Sequence, residues 1–390
     1  MSSLESLRRL NRLRVIHALR AEGLISRADI ARATGLSRST VSSLVADLQA
    51  DGLVVETGEP GAARGAQGGR PPILLAFDAA AGAAVGIDFG HSHLRVAVSD
   101  LSSSILAEHS VPLDTDHEAR EGLDAAVALV NDTLAEAGVP RERVIGAGLG
   151  LPGPVHQGTG FVESPSILPG WAGLGAAAEM RERLELPVIV DNDANLGALA
   201  EAAFGAGRSA SDLVYVKVSS GIGAGLILDG RLYRGALGVA GELGHVVVEP
   251  GGAQCRCGNR GCLETVANTG ALLPGRSPRD VLDGARAGDE ECCAAIARAG
   301  DAIGRAAAML LNVLNPQLVV VGGELAGAGD LLLDGVRARV GAEALPASAE
   351  AARVVAGVLG DRAQVLGAIA LVVSEADRAL PARVAAAAPA

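Results

Sequence analysis

The sequence predicts an α/β protein in two parts, a winged helix-turn-helix head over residues 1–78 and a larger body over residues 79–390. Three observations predict it. Within the first 78 residues, two short amphipathic stretches flank a glycine and are followed by two β-rich stretches around a glycine-rich loop. From about Ala84 onward, apolar strands end repeatedly in glycine turns and small-residue helices follow them. Near residue 250, three cysteines and a histidine stand at metal-ligand spacing. A chain of 390 residues has room for two or three such domains.

Hydrophobic residues make up 49% and charged residues 20%, enough for a substantial core, and with aromatics at 2% that core is Ala, Val, Leu and Ile. No apolar run reaches the roughly 18 residues that span a membrane. Arg8, Arg9, Arg12 and Arg14 interrupt the region where a signal peptide would be apolar, so a cytoplasmic protein is expected. Five cysteines do not suggest a disulfide framework, and Cys292 and Cys293 read as plain helix positions. The net charge of −12 is uneven: residues 1–72 hold ten arginines against seven acids. A slightly basic head on an acidic body fits a nucleic-acid-reading module joined to something else.

In the head, Leu4, Leu7, Leu10, Leu13, Ile16, His17 and Leu19 recur at helical spacing and predict a first amphipathic helix. Ser26 can cap a second helix with Ile30 and Ala33 inward, Gly35 supplies the turn, and Ser37 can cap a third running to about Ala50. With Val41, Leu44, Val45 and Leu48 in the core, Arg38, Ser39, Thr40, Ser42 and Ser43 face outward, as in a recognition helix entering a major groove. LVVET after Gly52 and ILLAF at 73–77 read as paired strands. Arg64 and Arg70 on the loop between them suit a narrow minor groove or flanking phosphates. A purely structural three-helix module with solvated arginines is the alternative.

In the body, AVGIDFGHSHLRVAVSDL reads as a hairpin whose turn begins at Asp88. The segment 217–230 offers Ser219, Ser220, Gly221, Gly223 and Gly225 after a strand, where backbone N–H groups can approach an anion; a plain turn uses the same residues. VIVDNDANLG places Asp191, Asn192 and Asp193 where a buried strand gives way to a helix, and an acid there, facing a cleft, could accept a proton from a ligand's hydroxyl. Asp193 could instead be the helix cap, although Asn192, Asp193 and Asn195 are more polar groups than one cap needs.

Cys255, Cys257 and Cys262 form C-x-C-x4-C, with His245 ten residues upstream. Three thiolates and an imidazole supply the four tetrahedral ligands of a structural zinc. Such a knot would hold Glu242 and Glu264 in place, as a ligand rich in hydroxyls requires. Buried free cysteines would not explain the spacing.

The stretch GELGHVVVEPGGAQCRCGNRGCLETVAN resembles the signature of the ROK family (repressors, open reading frames, kinases), and the likeness extends over nearly the whole chain, the GGRPP wing included. It implies an actin-like, ribonuclease-H-like sugar kinase fold of two lobes. By that resemblance, Asp88, Gly90 and Ser92 form a first phosphate loop near magnesium, although His91 and His93 depart from the kinase pattern. Ser220, Gly221, Gly223 and Gly225 form a second loop, with Ser220 in place of the usual Thr. Gly322 and Gly323 sit at the adenosine, and the helix after Gly360 packs beside the nucleotide. Asn192, Asp193, Glu242, His245 and Glu264 hold sugar hydroxyls, with Asp193 the general base of a kinase and His245 shared with zinc. GLGLPGPV closes over the sugar and Trp171 stands beside it, while Ser166, Ile167 and Leu168 replace the usual Asn there. Members with such a head resemble sugar-responsive transcriptional regulators, which implies a repressor or dual regulator: a homodimer on a palindromic double-stranded DNA operator, whose affinity for that operator changes when its body binds a sugar or sugar phosphate. The alternative is an ATP- and Mg2+-dependent hexose kinase carrying a DNA-binding head.

Overall fold

The computed structural model describes residues 3–60, 72–156, 159–162 and 168–384. The head contains α1 (Ser3–Glu22), β1 (Leu24–Ser26), α2 (Arg27–Thr34), α3 (Arg38–Ala50), β2 (Val54–Pro60) and β3 (Ile73–Phe77). Ser26 accepts from the Asp29 N–H and Ser37 from the Thr40 N–H, each satisfying an orphan donor of the helix it starts. Gly35 ends α2 at φ +70°, a left-handed conformation that glycine adopts without strain. Val41, Leu44, Val45 and Leu48 then close on Val15, Ile16, Leu19, Ile30 and Leu75.

Some expectations for the head need correction. Leu7, Leu10 and His17 are exposed, and Val15 and Arg12 are buried instead. The core takes up only the C-terminal part of the α1 stripe; further out, Arg8 and Arg12 pair with Asp47 and Asp51 of α3 and its cap. Ala33 is also exposed, since a helix of eight residues turns only Ile30 fully inward, with Ala31 beside it. β1 escaped the sequence reading because three residues carry no period. It pairs antiparallel with β3 and completes a sheet of order β1-β3-β2.

The first lobe of the body is a sheet of order β6-β5-β4-β7-β8, built from β4 (Ala83–Phe89), β5 (His93–Asp100), β6 (Ile105–Pro112), β7 (Val144–Leu151) and β8 (Val188–Asn192). β4, β7 and β8 are parallel, while β5 and β6 run antiparallel. On one face, α4 (Ala119–Ala137) and α5 (Ala176–Leu184) bury Leu123, Ala126, Val130, Met180 and Leu184 against it. The hairpin turn expected at Asp88 instead spans Gly90–Ser92, because β4 stays paired through Phe89.

α6 (Asp193–Phe204) leads into the second lobe, whose sheet has order β11-β10-β9-β12-β13. Its strands are β9 (Leu213–Val218), β10 (Ile222–Leu228), β11 (Arg231–Tyr233), β12 (Leu318–Gly322) and β13 (Arg353–Ala356). Between β11 and β12 run two single-turn helices, α7 (Glu264–Ala267) and α8 (Thr269–Leu272), then α9 (Pro278–Arg286) and the long α10 (Glu290–Leu314). α11 (Asp330–Glu343) and α12 (Pro346–Ala351) precede β13. Each body sheet places its first strand in the centre, so the two lobes repeat one topology. α13 (Ala363–Val384) lies on β4 and β7, α6 lies on β9 and β10, and the two helices pack on each other between the lobes. The approach of α13 to β7 is so close that a Cβ on Gly148 would collide with the Ala368 carbonyl. Among the described residues, no helix is long and apolar enough to cross a membrane.

Candidate functional site

Between the lobes lies a cleft lined by His91, Pro152–Pro154, Asn192, Asp193, Lys217, Gly221–Gly223, Glu242, His245, Arg256 and Glu264. The five residues singled out as sugar contacts therefore meet in one place, although they come from three separate segments. Their engagements differ. Asn192, not Asp193, is the α6 cap: its Oδ1 accepts from the Ala194 and Asn195 N–H groups, and its Nδ2 donates to the Gly153 carbonyl at 3.0 Å. The carboxylate of Asp193, one residue further, thus leaves the helix start for the cleft. There its Oδ2 lies 2.5 Å from the Nζ of Lys217 on β9.

Glu264 Oε1 accepts from Arg256 Nε at 2.8 Å and its Oε2 from the Ile222 N–H at 3.2 Å. Burial and the nearby charges of Asp193 and Glu264 raise Glu242 to about 7. Burial alone would depress the Lys217 ammonium, but Asp193, Asp88 and Glu324 outweigh it and hold the group charged. Behind the cleft, the buried Asp191 accepts from Arg234 and Asn195.

Lys217, Arg256 and His91 with its partner Asp116 (Nδ1 to Oδ1 2.6 Å) were missed as cleft residues by sequence reasoning. Lys217 did carry a signal: it is the chain's only lysine, set in an otherwise apolar strand. Arg256 carried a positional one, between two of the clustered cysteines.

Beside the cleft, His245 Nδ1 is 3.6 Å from Cys255 Sγ, and Cys257 Sγ is 3.7 Å from Cys262 Sγ. All four ligand atoms lie within 4.8 Å of one another. Zn–S bonds of about 2.3 Å give a tetrahedral sulfur–sulfur edge of about 3.8 Å, so the set fits a four-coordinate ion. Three thiols this close cannot all ionise without a cation among them. The cluster can hold a metal ion, and His245 Nε2, on the far side of the ring, faces Glu242 Oε2 at 3.9 Å. The chain turns tightly here through Gly258 at φ +97° and the Cys255 N–H bond to Asn259.

The residues assigned to nucleotide loops lie at three places, the β4–β5 turn, the β9–β10 hairpin and the end of β12, and the last two meet where Gly323 packs on Val218 and Ser219. Asp88 is buried at the end of β4 and meets His93 Nε2 at 3.2 Å, and the His93 ring covers the face of Gly90 where a Cβ would lie. Ser92 stands in that turn. Ser220 and Gly221 form the β9–β10 turn, but Gly223 and Gly225 are strand positions. A Cβ on Gly225 would lie 2.5 Å from the Ala194 carbonyl, so this glycine serves the contact with α6. Gly322 ends β12, and Gly323 turns at φ +81° against Val218 and Ser219.

Trp171 does not reach the cleft. It is wholly buried in the first lobe, with its ring edge-on to Phe89 at 5.2 Å and its Nε1–H donating to the Thr115 carbonyl. On α3, Arg38, Ser39, Ser42 and Ser43 are exposed and Thr40 is half-buried, with the Ser39 and Thr40 hydroxyls tied to Ser37. Arg64, Arg70, Ser166 and Ile167 lie outside the described residues.

Residues 84–375 match the ROK family. The chain belongs to it. Residues 9–65 match the MarR family, consistent with the helix-turn-helix of the head. Over 391 aligned residues the chain is 31% identical to the xylose repressor of Caldicellulosiruptor bescii, which covers 95% of this chain and 96% of that one. A crystal structure of a ROK family transcriptional regulator, a homologue of E. coli Mlc, superposes with a TM-score of 0.82 at 26% identity, covering 96% of this chain and 98% of that one. The ROK family glucokinase of Streptomyces griseus, in complex with glucose and AMPPNP, gives a TM-score of 0.66 at 29% identity. It covers 74% of this chain and 99% of the kinase, so the kinase likeness stops short of a full-length match.

Proposed function

We infer that this ROK protein is a sugar-responsive transcriptional repressor, whose head (residues 1–78) reads a DNA operator and whose body (79–390) binds the effector. The observation that carries the reading is the joining of two sites by one strand. β7 runs from Ile145, packed on the head's apolar cluster, to the cleft loop Pro152–Pro154. Asn192, Asp193, Glu242, His245 and Glu264 hold the sugar's hydroxyls. Arg38, Ser39, Thr40, Ser42 and Ser43 face the major groove, and Arg64 and Arg70 contact phosphates or the minor groove. The head is small and its half-site short, so a homodimer on a palindrome supplies the affinity.

Zinc is the ion that suits one imidazole and three thiolates in a tetrahedron. It holds the turn bearing Glu242 and the start of α7 bearing Glu264, and its His245 ligand keeps a second ring nitrogen for the cleft. A sugar changes operator affinity only by binding one head–body arrangement better than another.

A working hexose kinase is the second reading, favoured by the kinase-like body and by a carboxylate at the start of α6. In it Asp193 is the base, Asp88, Gly90 and Ser92 serve magnesium and phosphate, and Ser220, Gly221, Gly223, Gly225, Gly322 and Gly323 bind ATP. The His93 ring over Gly90 and the ion pair on Asp193 argue for the sensor.

The test is fluorescence anisotropy of the zinc-loaded protein on DNA from its own upstream region, titrated with a sugar panel. Salt-sensitive binding that one sugar releases supports the repressor. ATP consumption with the same panel, abolished by Asp193→Asn, would support the kinase instead.

A further inference from the structure

Resting on that reading, we propose that Lys217 fixes the class of effector: its pairing with Asp193 makes the cleft take an uncharged polyol and reject the phosphate ester of the same sugar. The argument is one of charge and of donors already in use. The cleft lining brings three carboxylates, Asp193, Glu242 and Glu264, against two fixed cations, Lys217 and Arg256. Each cation faces a resident carboxylate, Lys217 on Asp193 at 2.5 Å and Arg256 on Glu264 at 2.8 Å. His91 is held by Asp116. The Ile222 N–H, a backbone donor that an anion would need at the β9–β10 turn, is taken by Glu264 Oε2. Asp88 and Glu324 add further negative charge around the Lys217 ammonium.

The pair is shielded, with the Lys217 and Asp193 side chains 15% and 11% exposed, so solvent does little to weaken it. A phosphate dianion entering here can reach either cation only beside that cation's resident carboxylate, and so sets its own negative charge against one already there. A sugar hydroxyl meets the opposite situation. It donates to Asp193 Oδ1 or Glu242 without disturbing either pair, and its own oxygen can accept from the Lys217 ammonium, which has three donors. As a lone lysine among arginines, Lys217 also brings a single point charge rather than the planar fork that grips phosphate bidentately.

The test is isothermal titration of the zinc-loaded protein with glucose, xylose and N-acetylglucosamine, each beside its terminal phosphate ester. One free sugar should bind at least about 100-fold tighter than its ester, the size that like-charge crowding in a shielded site supplies. In Asp193→Asn, Lys217 loses its carboxylate and the ester-to-sugar affinity ratio should rise about tenfold or more. This ratio cancels any general loss of folded protein, which lowers both affinities alike. An ester that binds as well as its free sugar overturns the proposal and leaves the sensor reading standing. An unchanged ratio in Asp193→Asn overturns the role of Lys217. No binding of either class overturns the sugar reading itself.

Discussion

The backbone N–H of Leu101 donates to the Ala79 carbonyl at 3.0 Å, tying the β5–β6 turn of the body to the segment that leaves the head. The Leu101 side chain is buried in the head's own apolar cluster, with Ile145 packed against the same cluster. Both close over Gly82, where a Cβ would lie 3.0 Å from Ile145 and 3.4 Å from Leu101. Any movement of Pro152–Pro154 on ligand binding would therefore act on a strand whose other end meets the head. Leu101→Ala should cost about 2–4 kcal/mol of stability by cavity formation. Sugar affinity should stay within about twofold, because the cleft is distant, while the sugar-induced change in operator affinity shrinks. Calorimetry and anisotropy on the one variant separate these effects, and an undiminished DNA response would break the proposed route.

Removing the metal should silence sensing and spare DNA binding. The cluster fixes both the turn of Glu242 and the approach to Glu264, yet contributes nothing to the head's core. Chelation, or Cys257→Ser, should take bound metal from about one ion per chain towards zero and weaken sugar binding at least about tenfold. Metal analysis and titration calorimetry provide the check. Operator binding without sugar should be retained, and its loss would mean that the cluster supports the whole fold.

Trp171 should prove structural. Trp171→Phe removes the donor to the Thr115 carbonyl and leaves a gap beside Phe89, for about 2–3 kcal/mol. Denaturant unfolding measures that loss. Sugar affinity should be unchanged, and a large drop would return this residue to the ligand.

Local chemistry was legible in the sequence where it depends on neighbours along the chain. The caps at Ser26 and Ser37, the turn at Gly35 and the C-x-C-x4-C knot are all of this kind. The gathering of Asn192 and Asp193 with Glu242, His245 and Glu264 was legible only through resemblance, since no local spacing brings the segment at 192–193 to the one at 242–264. What escaped depends on tertiary geometry. Trp171 beside a Pro-Gly looks like a ligand platform until it is seen wholly buried against Phe89 of β4, with its Nε1–H on the Thr115 carbonyl. The apolar stripe of α1 says nothing about how far the core beneath it extends, and so Leu7 and Leu10 were misplaced. Asn192 and Asp193 are equally good caps on paper, and only the helix's actual first turn separates them. The repeated topology of the lobes left no trace because the two sheets share strand order, not residues.

Arg38 opens α3 on its exposed side, at the end of the helix whose amides already favour anions. If it meets a phosphate, Arg38→Ala removes one counterion-releasing contact per head. The slope of log affinity against log salt should then become shallower by about 0.9 for one head and about 1.8 for a dimer on two half-sites. Affinity should fall across specific and unrelated DNA alike, whereas Ser42→Ala and Ser43→Ala should relax sequence preference with little change in slope. Ser37→Ala acts differently: it removes the cap and should lower stability by about 1 kcal/mol. Anisotropy titrations at several salt concentrations, on operator and on scrambled DNA, distinguish the three. An Arg38→Ala slope equal to that of the parent would place this arginine away from the phosphates, and a change of about 0.9 rather than 1.8 would mean that one head, not two, engages each operator.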